Sequence, residues 1–153
     1  QPMTRAMFIT VIGRLYQELT DTAVIASGAN QFTDVESGSY YIQFLDWAYD
    51  NELIDGYGDG RFGPNDNVTR AQMAKIIANF AQYMGKDISV YEGTRLTFTD
   101  SLEIPIWAQT AVAYCNYQGL ITGMPGNIFS SDTTATRAQV ATIMQRLSYN
   151  FSE

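Results

Sequence analysis

The 153-residue chain contains no histidine. Imidazole is the usual general base and the commonest nitrogen ligand near neutral pH, so Ser-His-Asp catalysis, Cys-His catalysis and histidine metal sites are all excluded. The single cysteine, Cys115, can close no internal disulfide and offers no zinc-ligand spacing. Flanked by Ala113, Tyr114 and Tyr117, it reads as an inert core thiol. Lysine occurs only at Lys75 and Lys86; with seven arginines against 16 acids the net charge is −7. So few cations, unclustered, argue against nucleic acid as a partner. Apolar runs fall far short of the ~20 residues of a membrane span, so no membrane insertion is expected. The sequence opens at Gln1 with no basic stretch leading into an apolar one, as a mature product or a piece of a longer chain would.

What is present suits a folded domain: hydrophobic residues make up 46% of the chain and charged residues only 16%. A cysteine-poor composition rich in Thr, Asn, Tyr and Gly suits a secreted protein.

The chain also repeats itself. Phe32-Thr33-Asp34 returns as Phe98-Thr99-Asp100, and Thr69-Arg70-Ala71-Gln72 returns as Thr136-Arg137-Ala138-Gln139. Between these anchors a constant shift of 67 aligns Tyr40 with Trp107, Leu53-Ile54 with Leu120-Ile121, Gly56 with Gly123 and Phe62 with Phe129. Thr4-Arg5-Ala6 begins a third copy of the closing segment. The organisation is therefore the back half of one repeat (1–19), a linker (20–31), a full repeat (32–84), a linker (85–97), a full repeat (98–149) and a short tail (150–153). The front half of the first repeat is expected from another segment or another chain.

Each full repeat reads as helix, loop, helix. Apolar residues at helical spacing mark a first helix over 40–52 (Tyr41, Phe44, Leu45, Ala48, Tyr49) and its counterpart over 106–118. Gly56 and Gly123 are expected to end these helices. Thr69 with Gln72, and Thr136 with Gln139, form capping boxes that open the second helices. Thr4 is followed at that spacing by Met7, so half of its box is lost. Met73, Ile76, Ile77 and Phe80, like Val140, Ile143, Met144 and Leu147, recur at i, i+3, i+4, i+7 and read as core.

If Thr is the cap, Arg5, Arg70 and Arg137 all stand at the first helical position, where the macrodipole disfavours a cation. One reading is an anion site in which free amides, dipole and guanidinium converge on a carboxylate or phosphate. The other is an internal pair with an acid such as Asp34 or Asp100. Tyr40 and Trp107, at the first-helix starts, fit either a platform for a sugar ring or the core; Trp47 fits the core. Asp55, Asp59 and Asp66 suggest a calcium turn, but Tyr57 occupies a ligand position and the second copy loses all three acids. No cofactor, metal or catalytic residue is expected, because no recurring pair of acids faces across a cleft.

The stretch Phe32-Thr33-Asp34-Val35, then Leu53-Ile54-Asp55-Gly56-Tyr57-Gly58-Asp59-Gly60-Arg61-Phe62-Gly63-Pro64, then Val68-Thr69-Arg70-Ala71-Gln72 resembles the S-layer homology (SLH) family nearly end to end. The 98–149 copy resembles it through Trp107-Ala108, Gly119-Leu120-Ile121-Thr122-Gly123, Phe129 and Thr136-Arg137-Ala138-Gln139. The resemblance implies an all-α fold of helix-loop-helix repeats in a pseudo-threefold bundle, with the first repeat incomplete. It also implies a noncatalytic module, secreted to the bacterial cell surface, cell wall or S-layer. There it would bind an anionic secondary cell-wall polysaccharide, often pyruvylated, in grooves between repeats.

By position, the implied glycan-binding residues are Arg5, Arg70, Arg137, Asp34, Asp100, Tyr40, Trp107, Gly56, Gly123, Gln72 and Gln139. The family commonly has Glu where this chain has Met7, Gln72 and Gln139, and Trp where it has Tyr40. The other function class is a structural module whose repeats self-assemble without binding glycan.

Overall fold

The computed structural model describes residues 1–28 and 32–152; residues 29–31, at the end of the expected 20–31 linker, and residue 153 lie outside that description. Among the described residues the chain is all-α, with five helices and no strand. These are α1 (Arg5–Thr20), α2 (Ile42–Asp50), α3 (Arg70–Tyr83), α4 (Ile106–Tyr117) and α5 (Arg137–Asn150).

Threonine chemistry starts three of them. The Thr69 and Thr136 hydroxyls accept from the amides of Gln72 and Gln139, and each glutamine Oε1 accepts from its threonine amide, all at 3.1 Å. Thr4 accepts from the Met7 amide at 3.1 Å with no return bond, because Met7 has no acceptor to offer. The residues before these caps join in a closed cycle of backbone hydrogen bonds. Met3 N donates to Ala135 O, Ala135 N to Val68 O, and Val68 N to Met3 O, at 2.8–2.9 Å. A second cycle runs through the first helical amides: Arg5 N to Asp66 O, Arg70 N to Thr133 O and Arg137 N to Gln1 O. Three helix N-termini thus meet around a pseudo-threefold centre.

The first helices differ from expectation at their ends. α4 begins where expected because Pro105 precedes it with φ −56°, already suited to a helix start. The corresponding position ahead of α2 is Gly38 at φ +87°, and α2 starts only at Ile42, leaving Tyr40 in the preceding turn. The stops are not Gly56 and Gly123. They are Glu52 (φ +60°) and Gly119 (φ +70°), where Leu53 N returns to Ala48 O and Leu120 N to Cys115 O, both at 2.8 Å. Two short 3₁₀ helices, Ile88–Tyr91 and Ser101–Glu103, also form; the first lies inside the expected 85–97 linker.

One core joins the helices. Phe8, Leu45, Trp47, Phe80 and Leu147 are fully or almost fully buried, together with Phe62 and Phe129 from the loops. α1 packs on α2, α3 on α4, and α5 on α1. The α1–α2 approach depends on Gly13: a Cβ there would stand 2.3 Å from Phe44 Cδ1. Cys115 is buried on α4 and donates its thiol hydrogen toward Ala74 O on α3, at 3.7 Å.

Gly13→Ala should therefore destabilise the fold by about 1–3 kcal/mol through overpacking, although alanine is the better helix former. Urea unfolding measures this, and a cycle with Phe44→Ala should show strong non-additivity. Burial pushes the Cys115 thiol well above its ordinary value and Tyr114 up to about 12. Both groups then hold their protons in the folded state at pH values where the unfolded chain has released them. Stability should be complete below about pH 9 and fall as pH rises beyond it, as pH-dependent melts would show. The native thiol should resist a disulfide reagent that labels the urea-unfolded chain at once.

Candidate functional site

The site starts from the arginine at each second-helix start. Arg5 is 6% exposed and Arg70 4%. Arg5 Nε donates to Phe62 O at 3.0 Å and a terminal nitrogen donates to Asp55 O at 3.3 Å. Arg70 does the same to Phe129 O at 2.6 Å and Thr122 O at 2.9 Å. The Arg5 guanidinium carbon also lies 4.6 Å from the Phe62 ring centroid and 4.9 Å from that of Tyr57; Arg70 lies 5.0 Å from Phe129. Burial pulls both guanidinium pKa values below their ordinary level. The Coulombic fields of Tyr57, Asp66 and Asp34 oppose this at Arg5, and Asp100 opposes it at Arg70.

These positions correct both readings of the arginines in part. The helix-start amides are not free: those of Arg5, Ala6 and Met7 go to Asp66 O, Pro64 O and the Thr4 hydroxyl, and those of Arg70, Ala71 and Gln72 to Thr133 O, Ser131 O and the Thr69 hydroxyl. The internal partners of the guanidiniums are backbone carbonyls rather than Asp34 or Asp100. Those two acids face the loop backbone instead. Asp34 accepts from the amides of Phe62 and Gly63 at 2.9 and 2.8 Å, and Asp100 from those of Phe129 and Ser130 at 2.8 Å each. Each loop is thus clamped on one side by its own repeat's aspartate and on the other by the preceding arginine. Arg137 is exposed and only brushes Met7 Sδ, at 3.9 Å.

The loop glycines allow the loop to lie flat. A Cβ on Gly56 would stand 2.5 Å from the Phe32 ring and 2.8 Å from Arg61 O, and one on Gly123 3.0 Å from Phe98. Two of the three acids that suggested calcium are otherwise engaged: Tyr57 donates its hydroxyl to Asp66 at 2.6 Å, and Asp59 pairs with Arg61 at 2.9 Å.

Against this clamped loop lies a cleft of about 260 Å³. The 53–57 loop forms one wall and α3 the other, through Gln72, Lys75, Ile76 and Asn79; Arg5 lies at the base and Trp107 of α4 at the rim. Trp107 is 52% exposed. Of the expected residues the cleft gathers Arg5, Gly56, Gln72 and Trp107. Arg70, Arg137, Gly123 and Gln139 lie outside it, as does Tyr40, 64% exposed with its ring edge-on to Tyr41 at 5.1 Å. Sequence reasoning missed Tyr57, Lys75 and Asn79. The signal was available: Gln72, Lys75, Ile76 and Asn79 follow i, i+3, i+4, i+7, which puts them on one face of α3.

Helix-loop-helix repeats joined through cyclic hydrogen bonds, with a cleft at a junction between repeats, define a modular repeat domain. The chain belongs to the S-layer homology domain family, whose sequence model matches residues 31–74 and 97–141. It is 33% identical over 149 residues to an amylopullulanase of Thermoanaerobacterium thermosulfurigenes, covering 95% of this chain and 7% of that protein. It is 38% identical over 102 residues to a cellulosome-anchoring protein of Acetivibrio thermocellus, covering 66% and 21%. With a surface-layer 125 kDa protein of Lysinibacillus sphaericus it shares 25% over 124 residues, covering 79% and 10%. The chain thus spans between 7% and 21% of the length of these relatives.

Arg70→Ala should leave two loop carbonyls without their donors and cost about 1–3 kcal/mol or more in urea unfolding. Arg137→Ala, at an exposed position, should stay within about 0.5 kcal/mol of the parent.

Proposed function

We propose that the chain is a noncatalytic anchoring module that binds an anionic secondary cell-wall polysaccharide, of the pyruvylated kind, at the bacterial cell surface. The half-exposed Trp107 indole, standing with Lys75 beside a cleft that Arg5 also lines, carries this reading. An indole face offers a flat apolar platform for the C–H groups of a sugar ring. Lys75 and Arg5 add positive potential for a carboxylate inside a chain of net charge −7. Arg5 acts at the floor, bound to the Asp55 and Phe62 carbonyls, so its contribution is to shape the loop and to supply field.

The names of the relatives support the setting: one is a cellulosome-anchoring protein, one a surface-layer protein, and the amylopullulanase matches this chain over 7% of its length. A small shared module in proteins of such different kinds fits attachment better than catalysis. We read residues 1–19 as the closing half of a repeat.

The self-assembly reading draws on the burial of Arg5 and Arg70, which serve the fold first. One substitution separates the two readings. Trp107→Ala should leave the helical circular dichroism unchanged and weaken cosedimentation with Gram-positive sacculi at least about tenfold, and stripping the secondary polymer from the sacculi should abolish binding by the parent. Binding indifferent to both treatments would favour the structural reading.

A further inference from the structure

The region beyond Trp107 holds a second cleft of about 550 Å³, bounded by the end of α3, the 3₁₀ helix Ile88–Tyr91 and the first turns of α4. Trp107 and Lys75 line both clefts, so they form the ridge between them. We propose that this second cleft is a further carbohydrate subsite. It would take an uncharged sugar unit adjoining the anionic unit held in the first cleft. The proposal rests on the glycan-binding reading above.

Three observations support it. The first is position: a ligand lying on the Trp107 ridge and longer than one sugar unit meets the second cleft next.

The second is rigidity. The 85–92 segment, expected as a plain linker, is a built wall. Gly85 at φ +103° ends α3, with Lys86 N returning to Ala81 O at 2.9 Å. Asp87 caps the 3₁₀ helix by accepting from Ser89 N at 3.1 Å and from its hydroxyl at 2.5 Å. Ile88 is buried, Tyr91 meets the Tyr114 ring edge-on at 5.4 Å, and Gln118 Nε2 donates to the Tyr91 hydroxyl at 2.7 Å. The Lys86 ammonium is held 5.3 Å from the Phe151 ring centroid. A preformed wall spares a ligand the cost of ordering it.

The third observation is charge. The first cleft carries Arg5 and Lys75 against Asp55, an excess of one cation. In the second, Lys86 and the shared Lys75 face Asp87 and Glu92, so the charged groups belonging to that cleft alone carry an excess of one anion. The remaining polar lining is amide and hydroxyl: Gln82, Ser89 and Thr110. A mixed set of donors and acceptors suits sugar hydroxyls, whereas Asp87 and Glu92 would repel a second carboxylate.

The experiment is isothermal titration of the whole chain with two synthetic probes, a pyruvylated monosaccharide methyl glycoside and the same unit extended by one uncharged monosaccharide. The extended probe should bind the parent at least about tenfold more tightly. It alone should shift the amide resonances of Lys86, Ser89 and Thr110. In Gln82→Ala/Glu92→Ala, with helical circular dichroism unchanged, the affinity ratio of the two probes should fall toward one. Equal affinities in the parent overturn the second subsite and leave the first cleft standing. So does a length-dependent gain that survives in the double variant, or one with no shift at those amides. Failure of the parent to bind either probe overturns both readings.

Discussion

Three backbone segments, each one residue ahead of a threonine cap, hydrogen-bond to one another in a ring, and the rest of the molecule is arranged around that ring. Met3, Val68 and Ala135 each give one N–H and one C=O to it, so no member can leave without breaking two bonds. The ring draws the N-termini of α1, α3 and α5 together, where their dipoles face one another unfavourably. The neighbouring loops answer this with carbonyls: Asp66, Thr133 and Gln1 take the first helical amides. The same loops supply the carbonyls that receive Arg5 and Arg70. A cation at a helix start, unfavourable in isolation, is here surrounded by the negative ends of peptide dipoles.

Inner and outer residues consequently have different work. Arginine, aspartate and glycine at the inner positions fix the shape of the loop; Arg5 and Asp34 hold opposite sides of the Phe62 region, and Gly56 lets the Phe32 ring lie against it. Lys75, Gln72 and Trp107 stand further out, where a solute can reach them. The pattern that identifies the family is therefore largely a pattern for building the loop. The cleft's outer residues are less regular between repeats: Lys75 has Thr142 as its counterpart in the other full repeat, and Trp107 has Tyr40.

How much of this could be read from the chain depended on whether the cause was local. The capping boxes, the helix faces and the burial of Trp47 and Cys115 follow from spacing within a dozen residues, and the sequence was sufficient for them. The destination of the arginines was not local. Arg5 reaches carbonyls 50 and 57 residues away, and nothing in Thr4-Arg5-Ala6 distinguishes a carbonyl from a bound anion. The helix ends failed for a related reason. Gly56 and Gly123 look like stops, but the left-handed residues are Glu52 and Gly119, and glutamate gives no sign of that role. The composition of 85–97 is that of a linker; its 3₁₀ helix depends on Tyr91 finding Tyr114, a tertiary contact.

The notch at Gly13 acts as an address. Phe44 of α2 fills it, whereas the same places on α3 and α4 hold Ala78 and Ala111, both buried. Helices that share so much sequence could otherwise trade partners. Setting α3 against α2 would press a phenyl ring into an alanine methyl, and setting α1 against α4 would leave a void where that ring belongs. Side-chain volume thus enforces the order of the units around the axis independently of chain connectivity. Two chains that opened and exchanged halves would be obliged to restore the same pairings.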